Sequence, residues 1–105
     1  MTEISIDSAD LSWEQAKNYP DGTMRKTLRK DSSGKPLTML LKLPPGFAMD
    51  EHSHIFAEHH YLLEGEYEVN GEIFRAGHYH LIPKHTDHGP FRSTTGALLL
   101  VIWDS

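Results

Sequence analysis

All eight histidines fall between His52 and His88, in a chain whose first 51 residues and last 17 contain none. The order within that window is His52-Ser53-His54, then Glu58, then, beyond an Asn70-Gly71 turn, His88. Neutral imidazole is the commonest protein ligand for transition metals. Three imidazoles and one carboxylate suit a divalent first-row ion and leave coordination positions open. In an extended segment, residues two apart face the same side, so His52 and His54 can grip one ion from adjacent rungs. Glu58 follows the short Ile55-Phe56-Ala57 turn and can return to the same ion from the start of the next strand. One divalent transition metal per chain is therefore expected, and Fe, Mn, Ni and Zn all match the donors. The alternative for Glu58 is a general base beside a three-histidine metal.

Such a set needs short strands that fold back on one another, and the turn signals supply them. Tyr19-Pro20-Asp21-Gly22, Asp31-Ser32-Ser33-Gly34, Pro44-Pro45-Gly46, Asn70-Gly71, Ala76-Gly77 and Thr95-Gly96 separate runs rich in β-formers. That pattern predicts an all-β chain folded as a small antiparallel β-barrel or sandwich. Tyr61–Val69 and Glu72–Arg75 flank Asn70-Gly71, the pair that a type I′ hairpin turn prefers. Leu37–Leu43 and Ala97–Trp103 are the most apolar strands and should lie deepest. A helical turn or two is expected near Ser12–Lys17, with Ser12 as its cap. The 105 residues are read as a single domain, with residues 1–20 as an arm or edge strand and 37–103 as the barrel core.

Gly46-x5-His52-x-His54-x3-Glu58-x6-Gly65 is a full match to the first motif of the cupin family, and Gly77-x5-Pro83-x-His85-x2-His88 is similar to the second. His85 stands where that family usually has glycine, and Arg92 where it has asparagine. Glycine there would permit positive φ, and histidine reaches that region more readily than bulkier residues do. The resemblance implies a double-stranded β-helix, or jelly roll, with His52, His54, Glu58 and His88 as metal ligands. Trp13, Gly22-x5-Leu28, Tyr61-Leu62-Leu63-Glu64-Gly65, His88-Gly89-Pro90 and Gly96-Ala97-Leu98-Leu99-Leu100 resemble one cupin branch more closely. That branch includes the zinc-binding cupin domain of bacterial anti-sigma factors and dioxygenases that cleave β-diketones. It thus holds both enzymes and non-enzymes, so the resemblance leaves activity open.

The remaining histidines divide by alternation. His60 should share the face of Glu58, as a catalytic imidazole behind the ligands or a satisfied interior side chain. His59 should face away. His80 reads as packing or lining, and His85 as a turn residue at the site mouth. Met49 and Phe56 flank the ligand segment and could shape an apolar entrance, whereas the position of Tyr61 argues against its pointing inward.

Bulk properties narrow the function classes. A net charge of −5 leaves no cationic stripe to neutralise phosphates, so nucleic acid is not an expected partner. The densest basic stretch, Arg25-Lys26 with Arg29-Lys30, reads as a solvated strand edge. There is no cysteine, hence no disulfide and no thiolate site. The longest apolar run, Ala97–Trp103, is too short to span a bilayer, and the N-terminus lacks signal-peptide character. The expected protein is cytoplasmic, binds no membrane, and forms a homodimer that covers an apolar sheet face. Its expected activity is that of a metal-dependent dioxygenase, an oxidoreductase acting on a small chelating ketone or enol. The alternatives are a metal-dependent isomerase or lyase, or a non-catalytic sensor-like binding module.

Overall fold

The computed structural model describes residues 2–52 and 55–104. Nine strands are found among them: β1 (Glu14–Gln15), β2 (Met24–Lys30), β3 (Pro36–Leu43), β4 (Phe47–Met49), β5 (Glu58–Val69), β6 (Glu72–Arg75), β7 (Tyr79–Ile82), β8 (Phe91–Ser93) and β9 (Ala97–Trp103). They run antiparallel in the order β1-β2-β3-β9-β5-β8-β4, with β6 and β7 also paired to β5. This curled sheet is a small antiparallel β-barrel of the jelly-roll type. None of the described helical segments is long and apolar enough to cross a membrane.

One strand organises the barrel. The first half of β5 pairs with β9 and β7, and its second half with β6 and β8. The change of partners coincides with a register shift against β9 between Leu62 and Glu64. Before it, the buried residues are Glu58, His60 and Leu62; after it, they are Tyr67 and Val69. One extra residue thus switches which parity faces inward, as a bulge must when side chains alternate. Gly65 sits at this bend with φ +79, and a Cβ there would clash with the Gly96 carbonyl. Only glycine lets β5 turn so close to the start of β9.

The core lies inside the curl. Met39, Leu41 and Leu43 of β3 and Ala97, Leu99 and Val101 of β9 are buried on alternate positions. They meet Phe47, Leu62, Tyr67, Ile82 and Phe91. The hairpin forms as its sequence dictates: Asn70 and Gly71 have φ +55 and +86, and Val69 pairs with Glu72. His85 takes φ +59, so the turn expected to tolerate histidine in place of glycine does so.

The N-terminal segment corrects two expectations. No helix forms at Ser12–Lys17; a 3-10 turn covers Ser8–Asp10, and Glu14–Gln15 pair with β2 as an edge strand. Tertiary pairing outweighs local preference here: Ala16 is buried, its N–H donates to Thr23 O at 2.9 Å, and Glu14 binds Arg25 at 3.1 Å. The basic stretch on β2 is also not a plain solvated edge. Arg25 keeps only 22% of its side chain exposed, and Lys26 donates to Ser8 O and lies 4.8 Å from the Trp13 ring centre.

Candidate metal centre

His52 and His88 meet as a bonded backbone pair. His52 N–H donates to His88 O at 3.0 Å, and His88 N–H donates back at 2.8 Å. This bridge ties the segment after β4 to the one before β8, and it sets the two imidazole centres 4.3 Å apart. His52 therefore belongs to an isolated bridge and not to a continuous strand, as the rung picture required. His54 lies outside the described residues. Phe91 packs under the pair, 5.0 Å from the His88 ring and 5.8 Å from that of His52.

The tautomer of His52 is fixed by its neighbour. Its Nδ1 lies 3.0 Å from the Asp50 carbonyl, which can only accept, so Nδ1 donates in that bond and the neutral ring has its lone pair on Nε2. That is the state in which a metal takes an imidazole, with a carbonyl orienting the ring from behind.

Glu58 enters from a third direction, as the first residue of β5. It is 3% exposed, a depth at which a carboxylate must be bonded on both oxygens or coordinate an ion. Trp103 Nε1–H donates to Glu58 Oε1 at 2.5 Å, and His60 Nε2–H donates to Glu58 Oε2. Both donors follow from register, since Trp103 is the cross-strand partner of Glu58 and His60 is its next inward neighbour. Tyr67 OH lies 3.5 Å from His60 Nδ1, at the far edge of hydrogen bonding. Burial, and then the nearby Glu58 charge, push the Tyr67 phenol well above its ordinary range.

His52, Glu58, His60 and Tyr67 share the wall of one small cavity of about 20 Å³. That is room for one water or one ion. Tyr19 closes it from the turn after β1, and burial and Glu58 raise its phenol while Arg25 partly offsets them. Among the described residues, no group of three or more His, Asp or Glu side chains is gathered closely enough to hold an ion. The set is thus brought together in part: His52 with His88, and His52 with Glu58 on one cavity wall. In donor type, two imidazoles and a carboxylate, these residues suit a divalent ion.

Other histidines sort by face. His59 points outward, with Nε2–H on Asp104 at 2.8 Å and the Tyr79 hydroxyl on Nδ1 at 2.5 Å. His80 packs between His60 and Phe74, and its Nδ1 is buried with no hydrogen-bond partner among the described residues. His78 stacks on Phe74 at 3.8 Å. Tyr61 is exposed. One residue at the site had no signal in the sequence, Tyr19, which reads only as part of a turn; Trp103 reads as core or pocket wall, with nothing to point it at Glu58.

The family model described as the ChrR cupin-like domain matches residues 1–103. Among curated proteins none matches the chain. A putative dioxygenase from Nostoc punctiforme is 27% identical, with TM-score 0.85, over 94% of this chain and 35% of its own. A putative acetylacetone dioxygenase from Methylibium petroleiphilum is 15% identical, with TM-score 0.82, over 98% of this chain and 77% of its own. A chain from the complex of Rhodobacter sphaeroides SigE with the anti-sigma ChrR is 21% identical, with TM-score 0.68, over 90% of this chain and 50% of its own. The last two likenesses speak for the fold alone. This chain spans half or less of the Nostoc and Rhodobacter chains.

Proposed function

The chain belongs to the ChrR cupin-like family, and from that premise we propose that it binds one divalent transition metal and acts on a small chelating ketone or enol. The proposed ligands are His52, His54, Glu58 and His88. The observation that carries the reading is His52, whose proton is held on Nδ1 by a backbone carbonyl beside a buried carboxylate and a water-sized cavity. A metal bound there would act as a Lewis acid toward a chelated ketone and, if iron, would open the way to dioxygen chemistry. The protein's own residues do the rest. Trp103 and His60 fix the plane of the Glu58 carboxylate. His60 lines the same cavity with its Nε2–H on Glu58, and so acts behind the ligands by orienting that carboxylate. Tyr67 and Phe91 wall the cavity and help to hold it to the size of one small occupant.

We assign the protein to the cytoplasm and propose a homodimer, supported by Tyr61, Leu63, Tyr79 and Leu81, which stand exposed on β5 and β7. The second reading, a non-catalytic binding module, draws on the family description and on the likeness to a chain from an anti-sigma complex. Elemental analysis of protein purified without added metal separates the possibilities. The proposal expects about one ion per chain, and oxygen uptake or product formation with a β-diketone once Fe, Mn, Ni or Zn is loaded. Full metal occupancy with no turnover across a diketone and hydroxyketone panel would favour the binding module. Absence of any ion, and none taken up on titration, would end the metalloenzyme reading and leave only a module that binds a ligand without metal.

A further inference from the structure

A second, wider cavity of about 260 Å³ adjoins the small one, and the two share Tyr19, Met49 and His52. Its inner surface is apolar, with Met39, Phe56 and Trp103 on the walls. Its outer part is cationic: Lys17, Arg25 and Lys35 all line it. Among the described residues no Asp or Glu does, in a chain of net charge −5. The cations arrive from three separate segments. Lys17 follows β1, Arg25 lies on β2, and Lys35 ends the turn before β3, where Asp31 accepts the Lys35 backbone N–H at 2.9 Å. Lys35 Nζ sits 5.1 Å from the Phe56 ring centre, at the seam between the apolar and charged parts. Arg25 is largely withdrawn from water and is held to Glu14 through Nε, so its two terminal amino groups are the edge left to meet an anion. Tyr19 lines both cavities, the small one with Glu58 and the wider one with Arg25.

We infer that this cavity receives a small organic carboxylate, whose chelating keto or enol end reaches toward His52 and Glu58 while its anionic end lies among Lys17, Arg25 and Lys35. The inference rests on the reading of that inner site as a metal centre. An anion in this position gains charge-assisted hydrogen bonds that a neutral diketone cannot make. The volume, at the low end for ligand sites, suits a short aliphatic chain.

The test is calorimetric binding of 4,6-dioxoheptanoate, a β-diketone with a carboxylate tail, against its neutral methyl ester. Zinc-loaded protein is used, so that no oxygen chemistry consumes the ligand. The acid should bind about tenfold more tightly than the ester. Lys17→Gln and Lys35→Gln, both at exposed positions, should each narrow that gap with zinc content unchanged, and Arg25→Gln should narrow it most. Equal affinity for acid and ester overturns the inference and leaves the metal reading standing. An acid preference in which both affinities are unchanged when zinc is removed upholds the anionic cavity and removes the chelation reading. Binding of neither ligand overturns both. Displacement of the acid by inorganic phosphate, but not by acetate, would reassign the cavity to a phosphoryl group and overturn the class stated here.

Discussion

His59 and His60 are neighbours on β5, yet their imidazoles serve opposite faces of one sheet. His60 is 6% exposed and bonded to a buried carboxylate. His59 joins Tyr79 and Asp104 in a chain of hydrogen bonds on the outside, where Asp104 keeps 63% of its side chain in solvent. The two clusters use the same chemistry, an imidazole between an acid and a phenol. What separates them is water. On the outer face the charges are screened and each bond contributes little. On the inner face Glu58 depends on every partner it has, because an uncompensated carboxylate there is costly. Function should therefore concentrate on one side of a strand whose two sides read alike in composition.

The largest expected difference between the faces is in metal content. His52→Ala, Glu58→Ala and His88→Ala should each lose most of the bound ion while keeping β-sheet circular dichroism, whereas His59→Ala should retain full stoichiometry. Loss of metal from His59→Ala equal to that from the inner variants would erase the distinction. Packing comes next. Leu62→Ala, at 0% exposure, should lower unfolding stability by about 2–5 kcal/mol. Its outward neighbour Leu63, 40% exposed, should cost under about 0.5 kcal/mol when truncated in a monomer. A larger loss at Leu63 that depends on protein concentration would instead reveal a subunit interface on that face, and light scattering of Leu63→Asp would then show the shift to monomer.

A smaller effect is expected behind the ligands. His60→Ala should weaken metal affinity or turnover by about 10–100-fold and leave content at saturating metal unchanged. Equal behaviour of His60→Ala and His59→Ala would show that contact with Glu58 carries no advantage. The smallest effect concerns pH. His80 is held below its ordinary pKa of 6.5, chiefly by burial and then by His60 and His78, against the opposing pull of Glu58 and Glu72. As the pH falls below about 6.5, the unfolded chain takes up a proton that folded His80 still refuses, so native stability declines on the acid side. Denaturant midpoints of metal-free protein should fall from pH 7 to pH 5, and His80→Leu should flatten that slope. An unchanged slope in His80→Leu would assign the acid sensitivity to other groups.

Much of this was legible in residue types and spacing, where the determinants are local. Asn70-Gly71 specifies its turn because few other pairs accept positive φ twice in succession. The apolar strands at β3 and β9 declare themselves by composition, and His60 by its distance of two from Glu58. The illegible parts depend on pairing between distant segments. Trp103 reaches Glu58 because β9 lies beside β5 in one particular register, and no spacing rule encodes that register. Tyr19 and Arg25 meet at the site only because β1 folds onto β2, the same pairing that displaced the helix expected at Ser12–Lys17. The parity change at the Leu62–Gly65 bend was hidden for a related reason. Alternation predicts facing only until a bulge interrupts it.

The bond from Trp103 to Glu58 has an optical consequence. The chain has two tryptophans, and only Trp103 touches the buried carboxylate, while Trp13 lies beside Lys26 and Lys42 on another surface. With Trp13→Phe, all indole fluorescence would arise from a ring whose N–H is bonded to Glu58. Whatever Glu58 gains or loses as a partner changes the electric field on that ring, so the emission of a single residue reads out the state of the site without label or cofactor.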